Sequence, residues 1–137
     1  MSRWRFLDYY TDDEPPRNAI QAWYNRQEIS VKAAFDATLT TLLGIEDWAD
    51  KDVREFKLFK EGEFAGLGEL RFYITDKGKK RKFRIPGIWR PEHHEFILLG
   101  GCEKSGRIKI PQDAFEIAMS LKLAWERDGR GSIHEHK

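Results

Sequence analysis

Across residues 67–75 the apolar positions recur every second residue: Leu70, Phe72 and Ile74 alternate with Glu69, Arg71 and Tyr73. That is the period of a half-buried strand, with one face on a core and the other presenting Arg71. Asp76, Lys77 and Gly78 supply turn chemistry, Gly78 being free to take a positive φ, so residues 79–85 are predicted to return antiparallel as a hairpin. Phe83 and Ile85 then face the core, while Lys82 and Arg84 join Arg71 on the other face. A third run, residues 95–101, is almost continuously apolar through Phe96, Ile97, Leu98 and Leu99, as expected of a central strand covered on both sides.

Around this sheet the period changes. Residues 2–10 alternate well enough for an opening strand, with Trp4, Phe6 and Tyr9 as inward positions. The segment Thr11, Asp12, Asp13, Glu14, Pro15, Pro16 carries helix-start signals, namely capping side chains, acids for the dipole and prolines tolerated in a first turn. A short helix to about residue 26 should follow, with Ile20, Trp23 and Tyr24 as its stripe. Ser30 can cap a second helix to about residue 43, in which Val31, Ala34, Phe35, Thr38, Leu39 and Leu42 recur at three and four and Gly44 is the stop. Residues 45–65 are the least regular and read as a loop crossing the sheet, with a short strand around residues 55–60. Pro111 opens a last helix to about residue 127, with Ala114, Ile117, Ala118, Leu121 and Trp125 on one face. The tail, residues 128–137, is expected to be mobile.

At 137 residues the chain suits one α+β domain, large enough for a core that needs neither metals nor disulfides. A 40% hydrophobic and 34% charged composition is that of a soluble globular protein, and no apolar run approaches the ~20 residues of a membrane span. With no signal-peptide pattern and a single cysteine, a cytoplasmic location is expected, with no membrane contact and no cofactor. The net charge of +1 conceals an asymmetry: residues 1–65 carry −4, residues 66–110 carry +6 and residues 111–137 carry −1. Positive charge concentrated on the sheet segment favours an anionic ligand such as phosphate or nucleic acid; the alternative is a sheet edge guarded by solvated lysines.

The order of short motifs carries a resemblance. Glu69-Leu70-Arg71 preceded by Gly66-Leu67-Gly68, then Phe83-Arg84, then Phe96-Ile97-Leu98-Leu99 closing on Glu103-Lys104, then Pro111 and Ala114 opening a helix, resembles the RelE/ParE toxin superfamily and most closely its phage-derived, HigB-like branch. The likeness extends over residues 3–127 and is clearest over 64–118. It implies a RelE-like α+β domain with an N-terminal strand and helical hairpin packed on an antiparallel sheet. It also implies a type II toxin that cuts mRNA in the ribosomal A site and is held inactive by a cognate antitoxin, whose complex binds operator DNA. Two alternatives are a ParE-like gyrase poison without nuclease activity and a non-enzymatic, prophage-derived binding module.

Cleavage of this kind has the ribose 2′-OH attack the adjacent phosphate, so a site must activate the hydroxyl, stabilise the phosphate oxygens and protonate the leaving 5′-oxygen. Arginine suits the second task through its planar, permanently charged fork. By resemblance Arg71, Arg84 and Lys104 occupy the catalytic positions, with Arg81 the rival of Arg84 if the register slips. Lys79, Lys80, Arg81, Lys82, Arg107 and Lys109 would hold RNA backbone. An in-sheet ion pair with Glu69 is the structural alternative for Arg71. The chain departs from the family in having neither tyrosine nor histidine on its last helix, so that only His134 and His136 remain as a general acid. The His134-Glu135-His136 run lacks the three or four converging ligands of a metal site, Cys102 belongs to an apolar strand end, and His93 and His94 read as loop residues; no metal is expected.

Overall fold

A computed structural model describes residues 4–137, which form a mixed α+β domain of three α-helices and one sheet. Its elements are β1 (Arg5–Tyr10), α1 (Ala19–Tyr24), α2 (Ile29–Leu43), β2 (Phe56–Leu58), β3 (Gly68–Asp76), β4 (Lys79–Arg90), β5 (Glu95–Leu98), β6 (Cys102–Ser105), β7 (Ile108–Ile110), α3 (Ala114–Asp128) and β8 (Ser132–Glu135). The sheet runs β2-β3-β4-β5-β1-β8; β6 pairs with the first half of β4 and with β7. β1 lies parallel to β5 and the other pairings are antiparallel. Ser2 and Arg3, assigned to the opening strand, lie outside the described residues.

The hairpin between β3 and β4 follows the alternation. Leu70 stands opposite Ile85 and Phe72 opposite Phe83, and all four are buried. Lys77 and Gly78 both take positive φ, as a two-residue turn matched to strand twist requires. β4 continues five residues beyond the expected residue 85. Pro86 has no N–H to give the ladder, a lack that ends most central strands, but it keeps a ladder bond by accepting from the Leu99 N–H at 3.0 Å. Gly87 lets the strand pass close over its neighbour, since a Cβ there would stand 2.3 Å from the Ile97 carbonyl oxygen.

Alternation along β1 and β5 builds two cores. Phe6, Phe96 and Leu98 join Phe35, Leu39 and Leu42 of α2 on one face, with Trp48 stacked 4.1 Å from Trp4. Leu7, Tyr9, Ile97 and Leu99 face α3 on the other, so β5 is covered on both sides as its apolar run implied. Helix starts differ from expectation. The Asn18 carboxamide oxygen, not the Thr11 to Pro16 segment, caps α1 by accepting from the Gln21 N–H at 3.1 Å. Ser30 lies inside α2; Glu28 stands at its N-cap without a capping bond because its carboxylate reaches Arg81 at 3.0 Å. In α3 the buried face is Ala114, Phe115 and Ala118, and Ile117 is exposed, because Phe115 packs on Phe59 and Phe64 from the loop before β3.

The hairpin β6–β7 and the strand β8 went unpredicted. The last ten residues, expected to be mobile, add an edge strand to β1, with Ile133 opposite Tyr9 and the His136 N–H donating to the Phe6 carbonyl at 2.9 Å. No helix is long and apolar enough to cross a membrane.

Candidate anion site

α1 and α2 cover one face of the sheet, and α3 covers the opposite face only over β5, β1 and the far half of β4. The uncovered remainder of that second face is where the outward side chains of β3, the near half of β4, β6 and β7 stand. Register places Arg71 directly opposite Arg84, Tyr73 opposite Lys82, Lys82 opposite Lys104, and Lys104 opposite Lys109. Alternation therefore puts Arg71, Lys80, Lys82, Arg84, Lys104 and Lys109 on one surface. Arg71, Arg84 and Lys104, the three predicted catalytic residues, are brought together.

One buried carboxylate organises them. Glu69, 4% exposed, accepts from the Arg71 Nε at 2.7 Å and lies 3.7 Å from the Arg84 Nε. The Arg84 side chain is 12% exposed, yet its Nε has no hydrogen-bond partner; one of its terminal nitrogens donates to the Phe83 carbonyl at 3.0 Å. Burial lowers the Arg84 pKa, opposed by Glu69 and reinforced by the charge of Arg71. Burial likewise pulls the Lys104 ammonium below the usual lysine value, with Arg84 and Arg71 adding repulsion and Glu69 partly offsetting it. Beside them the Cys102 thiol is pushed up to about 11, chiefly by burial, so it is neutral. Three cations thus share one carboxylate in a partly dehydrated place, and that imbalance is what an anion would relieve.

No protein-family model, curated protein or solved structure matches this chain.

The other predicted residues divide. Lys80 and Lys82 are exposed on the same face, Lys80 with its Nζ 4.1 Å from the centre of the Tyr73 ring. Lys109 lies over Phe115 at 4.6 Å and Phe64 at 5.3 Å, a cation held against the rim of the α3 core. Arg107 is exposed in the β6–β7 turn. Arg81 points to the opposite face and is held by Glu103 at 2.8 Å, Glu28 at 3.0 Å and Asp76 at 3.4 Å, and the bonds to Glu103 and Glu28 raise its pKa. It therefore ties α2 to the sheet and is not available to a ligand. Lys79, by alternation, is on the Arg81 side.

His134 and His136 are not brought to the cluster. Their strand is four positions from β3 across the sheet, roughly 19 Å at ordinary strand spacing. His136 Nδ1 is 2.7 Å from the Asp8 carboxylate, which also accepts from Asn18 at 2.8 Å, and His134 stacks edge-on with Tyr10 at 4.9 Å. Among the described residues no group of three His, Cys, Asp or Glu side chains could hold a metal ion. Sequence reasoning missed the double duty of Glu69, although its spacing of two from Arg71 placed both on one strand face.

Proposed function

We propose that the chain is a cytoplasmic toxin of a type II toxin–antitoxin pair, a RelE-like, HigB-like endoribonuclease that cuts ribosome-bound mRNA and so blocks translation. The observation that carries this reading is the cluster of Arg71, Arg84 and Lys104 around the single carboxylate of Glu69, with the Arg84 Nε buried and without a hydrogen-bond partner. The order of opening strand, helical hairpin, antiparallel meander and final helix supports it as well.

Glu69 holds the two guanidinium groups side by side, and these take the non-bridging oxygens of the scissile phosphate as the 2′-OH gives its proton to solvent water, its oxygen attacks phosphorus and the bond to the 5′-oxygen breaks. Lys104 donates a proton to the departing 5′-oxygen. Desolvation and the neighbouring arginines ease that donation by holding its ammonium below the ordinary lysine range. A cognate antitoxin with acidic side chains covers the same face, and the complex of the two binds operator DNA.

The decisive experiment is single-turnover cleavage of ribosome-bound mRNA by purified variants whose thermal melts match the parent. Removing one charge-assisted donor typically costs ~3 kcal/mol, about a hundredfold in rate, so Arg71→Ala and Arg84→Ala should each fall by that factor. Full activity in the double variant would sink the assignment. Pulse labelling of growing cells separates the gyrase reading, which requires DNA synthesis to stop before protein synthesis does.

A further inference from the structure

β2 flanks β3 only over Gly68 to Leu70. The next β3 amide, Arg71 N–H, donates to the Glu55 carbonyl at 2.8 Å, and from there to Asp76 no strand lies along this edge among the described residues. A groove of about 680 Å³ wraps the open edge, with Ala34, Ala37 and Thr41 of α2 on one wall and Arg71, Tyr73 and Lys82 on the other. A second hollow of about 500 Å³ runs past Lys51, Lys57 and Lys60 beneath the loop before β2. Arg54 and Arg71 line both, so the two hollows adjoin at these side chains and are taken together as one channel.

The channel is preformed. Trp48, 1% exposed, anchors the loop by donating its indole N–H to the Leu42 and Ile45 carbonyls at 3.0 Å each. The Asp47 and Asp50 carboxylates close two tight turns by accepting from the Ala49 and Asp52 amides at 3.0 and 2.9 Å. Arg54 follows these turns directly, so the ordering cost of presenting it has been met in folding.

Within this basic channel stands one exposed aromatic ring. Tyr73 is 57% exposed at the groove wall, on the Arg71 face of the strand, with the Lys80 ammonium over its ring. An exposed ring with a cation on it is the arrangement that base stacking extends. Tyr73 is two residues from Arg71 along the strand, about 6.6 Å, comparable with one nucleotide step of an extended chain.

We propose that this channel is the track of a single-stranded RNA, with one base stacked on Tyr73 and the neighbouring phosphates on Arg54, Lys57 and Lys60. The proposal rests on the endoribonuclease reading and names the subsite that leads substrate to Arg71. A duplex cannot present an unstacked base to Tyr73, so a single strand is specified.

Fluorescence anisotropy with 2′-O-methyl oligouridylate, which cannot be cut, tests it on the isolated chain. Tyr73→Ala should weaken binding roughly tenfold and leave an abasic chain of equal length unaffected, and Tyr73→Phe should restore the affinity. Arg54→Ala should weaken both probes and lower the salt slope by about one. Equal binding of both probes by the parent and by both alanine variants would overturn the proposal, as would tighter binding of a hairpin duplex than of the single strand. So would protection of the Tyr73 and Thr75 amides from hydrogen exchange by an oligoglutamate peptide with no binding of oligouridylate, the result expected if a peptide strand adds to this edge. Because no cleavage is read, the two readings fail separately: groove binding without cleavage on the ribosome removes the catalytic reading. Parental cleavage with binding indifferent to Tyr73 and Arg54 removes the groove.

Discussion

Arg71 and Arg84 stand directly opposite each other on β3 and β4, and the Glu69 carboxylate lies 2.7 Å from one Nε and 3.7 Å from the other. Two guanidinium groups paired across a sheet repel one another, and opposing like charges are normally destabilising. Glu69 is what makes the pair tolerable. Glu69→Ala leaves Arg84 buried with no carboxylate beside it, so unfolding in denaturant should show a loss of about 3 kcal/mol. In an Arg84→Met background the same substitution should cost less than half as much. Equal losses in the two backgrounds would mean that Glu69 acts through Arg71 or packing and not through Arg84.

The pH dependence of Lys104 follows from its surroundings. Its folded pKa lies below the model-peptide value of 10.5, so the unfolded chain binds the extra proton between the folded value and 10.5. The cost of keeping the ammonium is present at every pH below that window and is relieved as pH rises through it. As a proton donor Lys104 must be charged, so the cleavage rate should decline as pH climbs through the folded pKa. Lys104→Arg keeps the charge but not the transferable proton; it should retain RNA binding and lose rate. A substrate with sulfur in place of the leaving 5′-oxygen needs no protonation and should recover most of that loss. No recovery would assign Lys104 to phosphate binding only.

Arg81 and Glu103 give the opposite sign. Hydrogen bonds from Arg81 hold the Glu103 carboxyl below the model-peptide value of 4.5. Its contribution is complete above that value and disappears as pH falls through the lowered one. Acid titration of stability should therefore show a shoulder below pH 4.5 that is absent in Glu103→Gln. Identical acid limbs in the two proteins would show that the Arg81–Glu103 pair between β4 and β6 contributes nothing to stability.

Much of the sheet was legible because the hairpin of β3 and β4 depends on nearest neighbours: alternation sets the faces and Lys77-Gly78 sets the register. The convergence of Arg71 and Arg84 on one face follows from that register. β6 and β7 were not legible, since Cys102 to Ile110 is polar and glycine-broken and becomes strand only by pairing with β4. The ion pairs of Arg81, read from sequence as an RNA contact, were not legible for a related reason. Its charge is visible in sequence, whereas its three acidic partners come from α2, the end of β3 and β6, which only the tertiary fold assembles. Tyr73 read as an ordinary outward strand residue until the open edge of β3 placed it at the wall of a groove.

The C-terminal segment shows how a polar tail gains structure. Nothing in residues 128–137 has strand periodicity beyond Ile133, yet Gly129 terminates α3 in the left-handed region and turns the chain back. Gly131 passes so close to Tyr9 that a Cβ there would stand 2.2 Å from the phenol oxygen, and the same phenol donates to the Arg130 carbonyl at 2.8 Å. β8 then shields β1, and His136 sets its ring on Asp8, a carboxylate only 6% exposed. Truncation after residue 128 would return Asp8 to Asn18 as its remaining partner and bare the β1 edge. The expected outcome is a loss of about 2 to 4 kcal/mol in denaturant melts, the range for stranding a buried polar group together with its packing. His136→Ala should reproduce roughly half of it. His134→Ala, whose side chain is exposed and turned away from the arginine cluster, should leave both stability and cleavage at the parental level. A large loss of cleavage on His134→Ala, with an unchanged melt, would instead bring the tail to the site and require β8 to detach when RNA binds.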